Sequence, residues 1–230
     1  MNYSLILLSA GKGTRFGKNT PKQYLLLAGK PMIVRSLECA DAIEEIKEII
    51  IVCEEEYIGN IKDYLKNYRI RKKVVFAQGG KTRQQSVFEG LKAVSYDGVI
   101  VHEAARPLIT KNDFLNLIQC KEENVTYVYE IPYTVLKKDQ NNVLSGILNR
   151  SELVNIQLPQ KFNKSDLLNA HILADERNEQ YTEDASMVYH YSEKPVFCLK
   201  GKPYNIKMTE YTDLLYGEML IKEEIVKEDV

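Results

Sequence analysis

The residues best suited to chemistry lie near the start of the chain, in a loop behind a short apolar run. The run, residues 5–8, is typical of a buried strand. The loop after it alternates glycines with basic residues: Gly11, Lys12, Gly13, Arg15, Gly17, Lys18 and Lys22. Glycines allow backbone N–H groups to approach an anion closely, and basic side chains neutralise the charge that the amides leave. Residues 4–24 therefore predict a phosphate-binding loop.

Two well-known glycine-loop patterns differ from this one in spacing. A dinucleotide-binding loop has its third glycine one position earlier than Gly17 and runs directly into a helix, which Pro21 argues against. A Walker loop needs Ser or Thr directly after its Gly-Lys pair, where this chain has Gly13. An ordinary glycine turn with surface lysines is the remaining alternative. It does not account for glycines, an arginine and Pro-Lys-Gln clustered behind one strand.

A second loop places glycines where a predicted strand becomes a helix. Gly79 and Gly80 precede Arg83 and Ser86. A nucleotide base or ribose could lie against this backbone. The alternative is a tight turn in which Thr82 caps the helix and Arg83 is solvated.

A third loop carries a carboxylate and an arginine behind the predicted strand at residues 98–102. Mg²⁺ takes one or two protein carboxylates plus phosphate oxygens, so Glu103 is a candidate metal ligand. Arg106 could bind a phosphate through two hydrogen bonds. A surface ion pair between Glu103 and Arg106 is the alternative. Their place at the same predicted sheet edge as the first loop favours ligand binding.

Strand and helix patterns alternate along most of the chain. Predicted strands cover residues 5–8, 46–52, 73–77, 98–102, 125–131 and 195–200, and predicted helices cover about residues 31–42, 55–68, 82–94, 111–121, 164–174, 182–192 and the stretch from about 210. Such units predict an α/β fold with a mostly parallel sheet, helices on both faces and one domain over residues 1–230. Ligands of these sheets bind beyond the carboxyl ends of the strands, so the three loops should converge.

Residues 132–157 interrupt this alternation. Strand-like segments at residues 133–136 and 143–148 flank the polar stretch Asp139-Gln-Asn-Asn142, which is typical of a hairpin. An isolated hairpin is marginally stable in water, so we expect it to pack on another body, such as a second subunit.

The composition excludes several classes of protein. The 230 residues are 44% hydrophobic and 27% charged with a net charge of -1, which gives no indication of general affinity for nucleic acid or for a membrane. The chain has no long apolar stretch and no signal-peptide pattern, so we expect a cytoplasmic protein. Its scattered cysteines lack the spacing of a disulfide framework or zinc site. His171 and His190 read as ordinary structural or surface residues.

Several motifs resemble, in order and spacing, those of one enzyme family. They are Ser9-Ala-Gly-Lys-Gly-Thr-Arg-Phe-Gly17, Pro21-Lys-Gln-Tyr24, Gly79-Gly80 with Arg83 and Ser86, Ala104-Ala-Arg-Pro107, Leu158-Pro-Gln160, Thr182-Glu-Asp-Ala-Ser186 and Asn205-Ile-Lys-Met-Thr209. Over almost its full length, the chain resembles the 2-C-methyl-D-erythritol 4-phosphate cytidylyltransferases and their sister family, the ribitol-5-phosphate cytidylyltransferases.

The resemblance implies an activity and an architecture. The activity is CMP transfer from CTP to a small polyol phosphate, in the first place 2-C-methyl-D-erythritol 4-phosphate of isoprenoid biosynthesis, with Mg²⁺ and release of pyrophosphate. The architecture is a Rossmann-like nucleotidyltransferase domain with a projecting β-hairpin arm, at about residues 132–157, that clasps the partner in a homodimer.

The resemblance also implies roles for individual residues. The catalytic residues would be Arg15, Lys22 and Lys207, and the nucleotide would contact Ser9, Ala10, Gly11, Gly13, Gly80, Arg83 and Ser86. The acceptor phosphate would contact Arg106, Thr134, Arg150 and Lys207, and Glu103 would bind the metal.

The chain departs from the usual family pattern at three positions. Glu103 replaces an aspartate, Leu158 a threonine and Tyr133 an aspartate. These changes concern the metal and the acceptor, so they raise two alternatives. One is activation of ribitol 5-phosphate or a related polyol phosphate for teichoic acid or capsule synthesis. The other is a catalytically weakened relative that only binds nucleotide.

Overall fold

Strands and helices alternate in the computed structural model, which describes residues 1–11 and 21–226. The strands are β1 (Tyr3–Leu8), β2 (Leu26–Leu27), β3 (Lys30–Pro31), β4 (Ile46–Cys53), β5 (Lys73–Gln78), β6 (Gly98–Glu103), β7 (Asn124–Glu130), β8 (Leu136–Lys138), β9 (Leu144–Ile147), β10 (Val154–Asn163) and β11 (Val196–Lys200). The helices are α1 (Met32–Asp41), α2 (Ile58–Asn67), α3 (Arg83–Leu91), α4 (Lys111–Gln119), α5 (Lys164–Glu176), α6 (Asp184–Tyr191) and α7 (Tyr211–Lys222). Short 3₁₀ segments cover Lys22–Tyr24, Glu55–Tyr57 and Arg150–Glu152.

One sheet of seven strands runs through the molecule in the order β11-β7-β10-β6-β1-β4-β5. All its strands run parallel to one another except β10, which is antiparallel to its neighbours β6 and β7. The register places Leu8 of β1 beside both Val52 of β4 and Glu103 of β6. The prediction of a mostly parallel sheet is confirmed, and the first and third loops begin side by side at its carboxyl edge.

Strand β10 was not predicted from the sequence. It contains Gln157, Pro159 and Gln160, which break the apolar pattern of a central strand. Its ladder with β7 shifts register between Gln157 and Gln160, where the Leu158-Pro159 peptide bond is cis. Pairing on both sides makes this stretch a buried strand, although its local composition is typical of irregular structure.

Helices cover both faces of the sheet, as the alternation predicts. On one face, α1, α2 and α4 pack in a cluster that includes Leu37, Ile61 and Phe114. On the other face, α3, α5 and α6 pack in a cluster that includes Val87 and Leu167. The strands between them, β1, β4 and β6, are apolar runs because both of their faces are buried. Among the helices of the described ranges, none has the length and apolarity needed to cross a membrane.

The predicted hairpin is present with shorter strands. Leu136 of β8 lies opposite Ile147 of β9. The carboxylate of Asp139 accepts hydrogen bonds from the backbone N–H groups of Asn141 and Val143, both at 2.9 Å, and this closes the turn. The first strand therefore begins at Leu136 rather than at residue 133, because β8 and β9 pair only over the residues next to the turn. Leu136 and Ile147 are 51% and 82% exposed.

Candidate active site

A cleft of ≈ 690 Å³ opens at the carboxyl edge of the sheet, beyond the ends of β1, β5 and β6. It is lined by residues 9–11 of the first loop, residues 79–83 of the second, Glu103 of the third, and Lys207 from the segment 205–209. The volume lies within the range of small-molecule sites, which is about 300–1,000 Å³. The predicted convergence of the three loops is therefore observed.

Gln23 joins the two described ends of the first loop. Its side chain is 3% exposed, and its Nε2 donates hydrogen bonds to the carbonyl oxygens of Ser9, at 2.5 Å, and of Gly11, at 2.9 Å. Beside it, the Tyr24 hydroxyl accepts a hydrogen bond from Ser9 Oγ at 3.0 Å. Lys22 directly precedes Gln23 and lines the same cleft, with only 8% of its surface exposed. The Pro-Lys-Gln motif thus positions a buried lysine next to the glycine loop.

The glycines of the second loop are required by close approach of neighbouring chain segments. A Cβ on Gly79 would lie 2.3 Å from the Cβ of Ala10 in the first loop, and one on Gly80 would lie 2.4 Å from the Cβ of Gln85. The Gly80 N–H donates to Ser86 Oγ at 3.1 Å, which fixes the turn into α3. Gly79 therefore lets the first and second loops come into contact at the cleft, and Gly80 lets the second loop turn tightly onto α3.

A chain of ion pairs leads from the cleft into the core. Lys207 Nζ lies 2.7 Å from Glu103 Oε2, and Arg83 Nε donates to Glu103 Oε1 at 2.8 Å. Arg83 Nη1 lies 2.8 Å from Asp184 Oδ2, and His171 Nε2 lies 3.4 Å from Asp184 Oδ1. Arg83 is therefore ion-paired rather than solvated, and the partners of Glu103 are Arg83 and Lys207 rather than Arg106.

These cations keep the Glu103 carboxylate charged. Its burial opposes ionisation, but the positive charges of Arg83, Lys207 and Arg106 lower the pKa of Glu103 to about 2. Burial, together with the charge of Arg106, lowers the pKa of the adjacent His102 to about 3. Near neutral pH the cleft therefore contains a charged carboxylate, and the adjacent imidazole of His102, buried behind it, is neutral.

The chain matches one family of known proteins over nearly its whole length. The family model described as IspD, 2-C-methyl-D-erythritol 4-phosphate cytidylyltransferase, covers residues 3–223. The chain belongs to this family. The resemblance inferred from the sequence is thus confirmed, and the protein is a cytidylyltransferase with a nucleotidyltransferase fold.

Individual relatives agree with this assignment. The 2-C-methyl-D-erythritol 4-phosphate cytidylyltransferase of Geobacillus thermodenitrificans is 36% identical over 233 residues, which cover 99% of this chain and 100% of that protein. The enzyme of the same name from Clostridium botulinum strain Langeland is 35% identical over 224 residues, with 96% and 97% covered. The crystal structure of 4-diphosphocytidyl-2C-methyl-D-erythritol synthase from Anaerococcus prevotii has a TM-score of 0.84 and 26% identity, with 96% of this chain and 98% of that chain covered.

Arg106 of this cytidylyltransferase supports the segment that carries Lys207. Its side chain is 9% exposed, and its Nη1 donates to the carbonyl oxygen of Asn205 at 2.8 Å. Nearby, the Met208 N–H donates to the carbonyl oxygen of Ala105 at 2.8 Å. Arg106 Nε makes no hydrogen bond within the protein. Arg106 thus connects the third loop to segment 205–209, and it lies behind the cleft rather than in its lining.

The other residues assigned to the acceptor lie away from this cleft. Thr134 and Arg150 flank the hairpin and are exposed, and Arg150 Nη1 donates to the carbonyl oxygen of Pro132 at 3.0 Å. Tyr133 is 78% exposed, whereas Leu158 is 2% exposed and packs in the core. The leucine therefore faces the interior and does not line the cleft.

Two of the predicted site residues, Gly13 and Arg15, lie outside the described residues. The remaining predicted nucleotide contacts, Ser9, Ala10, Gly11, Gly80, Arg83 and Ser86, all line the cleft.

The residues of the cleft fit an Mg²⁺ ion that arrives with phosphates. Within residues 1–11 and 21–226, no group of three or more His, Cys, Asp or Glu side chains could hold a metal ion. Glu103 Oε2 accepts no hydrogen bond, and its ion-pair partner Lys207 is 38% exposed at its side chain. One carboxylate oxygen is sufficient for Mg²⁺ when substrate phosphates supply other ligands.

Sequence reasoning missed two residues that organise this site. Gln23 stands in a recognised motif, but nothing local shows that its amide bonds to the first loop. Asp184 likewise stands in the 182–186 motif, and only the packing of α6 reveals that its carboxylate meets Arg83. No local signal in the sequence identifies these contacts, because both depend on the packing of distant segments.

Proposed function

We propose that this protein transfers the CMP unit of CTP to the phosphate of 2-C-methyl-D-erythritol 4-phosphate and releases pyrophosphate. The observation that carries the proposal is the family match over residues 3–223, in a chain whose matching motifs meet in one cleft. The relatives from Geobacillus thermodenitrificans and Clostridium botulinum are named for this acceptor.

The nucleotide would occupy the cleft with its phosphates on the first loop. The backbone N–H groups of Ala10 and Gly11 and the charge of Lys22 suit an anion, as do Gly13 and Arg15 by their place in the motif. Gly80 and Ser86 would face the cytosine and ribose, because they form the wall contributed by the second loop.

The reaction requires no activated serine or histidine. An oxygen of the acceptor phosphate is already anionic and attacks the α-phosphorus of CTP in line. The bond between the α-phosphorus and the α–β bridging oxygen breaks, and pyrophosphate leaves with its electron pair. The protein supplies position and positive charge, for which Lys22, Lys207 and Arg15 are suited. Lys207 can turn from Glu103 toward a phosphate because its side chain is 38% exposed.

Mg²⁺ would be held by Glu103 together with the CTP phosphates. When bound there, the ion would reduce the negative charge that opposes attack of one phosphate on another.

The acceptor site would be completed by a second subunit. Arg106 belongs to the third loop, beside the cleft of its own subunit. Thr134 and Arg150 instead flank the hairpin arm at residues 132–157. We therefore propose a homodimer in which each arm reaches the partner's cleft. The exposed apolar side chains of Leu136, Leu144 and Ile147 support this, because an isolated hairpin is marginally stable. Size-exclusion chromatography with light scattering should give the mass of a dimer. A monomer at the assay concentration would contradict the proposed homodimer.

A panel of acceptors tests the proposed function. Purified protein is supplied with CTP, Mg²⁺ and, separately, 2-C-methyl-D-erythritol 4-phosphate, ribitol 5-phosphate or another polyol phosphate. Pyrophosphate release and the mass of the cytidine product are measured. The methylerythritol acceptor should have the highest kcat/KM. A higher kcat/KM with ribitol 5-phosphate would show that ribitol 5-phosphate is the preferred acceptor. CTP binding without pyrophosphate release in the presence of any acceptor would refute transferase activity.

A further inference from the structure

Asp184 is a buried carboxylate that lies behind the cleft and has no assigned role in CMP transfer. It is 1% exposed and is the first residue of α6. Its Oδ2 lies 2.8 Å from Arg83 Nη1, and its Oδ1 lies 3.4 Å from His171 Nε2. It is absent from the cleft lining, and its contact partner Arg83 connects it to the cleft.

Arg83 connects Asp184 to the cleft through one rigid group. Its Nε donates to Glu103 Oε1 at 2.8 Å while its Nη1 faces Asp184. A guanidinium is planar, so fixing one part of it also fixes the directions of the other N–H bonds. The carboxylate of Asp184 therefore sets the direction in which Arg83 meets Glu103.

Glu103 in turn is oriented by this contact. With Oε1 bonded to Arg83, the carboxylate presents only Oε2 to the cleft, where Lys207 Nζ lies at 2.7 Å. Without a fixed Arg83, the Glu103 side chain could rotate and Lys207 would lose a defined partner. Small errors in the placement of active-site groups are costly to the rate.

We propose that Asp184 and Arg83 are positioning residues: Asp184 anchors Arg83, and Arg83 orients Glu103 so that its Oε2 and the paired Lys207 face the bound nucleotide. The inference rests on the proposed function, because it concerns that reaction's cleft. It assigns Arg83 a role other than the direct nucleotide contact expected from the sequence.

A direct contact would give a different kinetic signature. Arg83 Nη1 meets Asp184 as an ion pair without hydrogen-bond geometry, and Nη2 has no hydrogen-bond partner within the protein. Nη2 is therefore the atom that a direct contact would use. Loss of a ligand that binds substrate and transition state equally raises KM and leaves kcat unchanged. Loss of an orienting residue lowers kcat instead.

A double-mutant cycle between Asp184 and Glu103 tests the proposal. Asp184→Asn removes the charge and keeps the shape, and Glu103→Gln alters the group on which it acts. Asp184→Asn should lower kcat about 10- to 100-fold, the range typical of partners that orient an active-site ligand, with little change in the KM for CTP. In the Glu103→Gln background, Asp184→Asn should cause no further loss of kcat, because both changes act on the interaction between Arg83 and residue 103.

The matched control is Asp166→Asn. Asp166 belongs to α5 near the amino end of β6, where its Oδ2 accepts a hydrogen bond from Asn124 Nδ2 at 2.9 Å and lies 3.4 Å from Lys194 Nζ. This variant should retain wild-type kcat. Independent, multiplying losses in the cycle would overturn the proposal, as would a raised KM for CTP with unchanged kcat in Asp184→Asn.

Two further measurements keep the outcome decisive. If Asp184→Asn does not fold, Arg83→Lys replaces it in the cycle, because a lysine keeps the charge but lacks the planar guanidinium. Non-additive losses of kcat again support the proposal. Independent losses of kcat overturn it. If the wild-type protein releases no pyrophosphate, the proposed function fails, and crystal structures of wild type and Asp184→Asn, or Arg83→Lys in its place, decide the positioning. A Glu103 carboxylate displaced from Lys207 in the variant supports it, and an unchanged one overturns it.

Discussion

Replacing Gln23 by leucine should weaken CTP binding by removing the amide that holds the first loop. Gln23 Nε2 donates to the carbonyl oxygens of Ser9 and Gly11, at 2.5 and 2.9 Å. The Ser9-Ala10 peptide bond is trans, so the Ala10 N–H points away from the Ser9 carbonyl group and from Gln23. The amide of Gln23 thereby fixes the direction in which the loop presents its first N–H donor.

The size of the effect follows from these two hydrogen bonds. Each is worth about 0.5–1.5 kcal/mol net, so their loss should lower the free energy of unfolding by about 1–3 kcal/mol. If half of that energy, about 0.5–1.5 kcal/mol, orients the loop, the dissociation constant of CTP should rise about 2- to 12-fold, since about 1.4 kcal/mol corresponds to a factor of ten. Gln23→Glu should weaken binding more, because an ionised carboxylate would face two carbonyl oxygens.

Asn124→Leu provides the matched control for Gln23→Leu. Asn124 is also buried, and its amide donates to Asp166 Oδ2 at 2.9 Å and accepts from the Asn163 N–H at 3.2 Å, at the opposite edge of the sheet. Calorimetric titration with CTP and urea unfolding are measured for both variants. Similar losses of stability with weaker CTP binding only in Gln23→Leu are expected. Unchanged CTP affinity in that variant, or an equal loss of affinity in Asn124→Leu, would refute the reasoning.

Three further predictions concern the reaction and the core. Lys22→Ala should lower kcat about 100- to 1,000-fold, the usual cost of one preorganised donor, with an unchanged circular-dichroism spectrum, and near-normal turnover would remove Lys22 from the mechanism. Burial opposes ionisation of Glu48, but hydrogen bonds that include those from Ser4 Oγ and the Ser95 N–H hold its pKa below the ordinary value of a glutamate. The contribution of the Glu48 carboxylate to the free energy of unfolding is therefore fully present above about pH 4.3, the ordinary pKa of a glutamate. It is lost as the pH falls through the lower pKa of Glu48 in the folded protein. Glu48→Gln should cost about 1.5–3 kcal/mol at neutral pH, with a difference in urea unfolding that narrows in acid; a pH-independent difference would contradict the assignment. Gly90→Val should destabilise by about 1–3 kcal/mol in thermal unfolding, because a Cβ there would lie 2.8 Å from Ile6 Cγ2, and equal stability would show that the core can adjust.

The alternation of strands and helices could be predicted from the sequence because it depends on local patterns. The apolar runs of β1, β4 and β6 and the helical periodicity of α1 and α4 are each contained in a short stretch. The convergence of the loops followed from topology, since successive parallel strands end at one edge of a sheet. The glycine motifs could also be recognised in the sequence. Gly79 and Gly80 stand where a Cβ would collide with other atoms, so the close approach of the chain requires glycine at these positions.

Local patterns and motifs were therefore enough to predict the fold class, the family and the edge of the sheet where the cleft lies. How Gln23 supports the first loop, how β10 enters the sheet and which cations meet Glu103 became visible in the three-dimensional packing. The physical reason is that Arg83 and Lys207 reach Glu103 from distant elements, and their contacts depend on how α3 and segment 205–209 pack around β6. The nearby Arg106, whose ion pair with Glu103 was the alternative interpretation of the sequence, instead bonds to the backbone of Asn205.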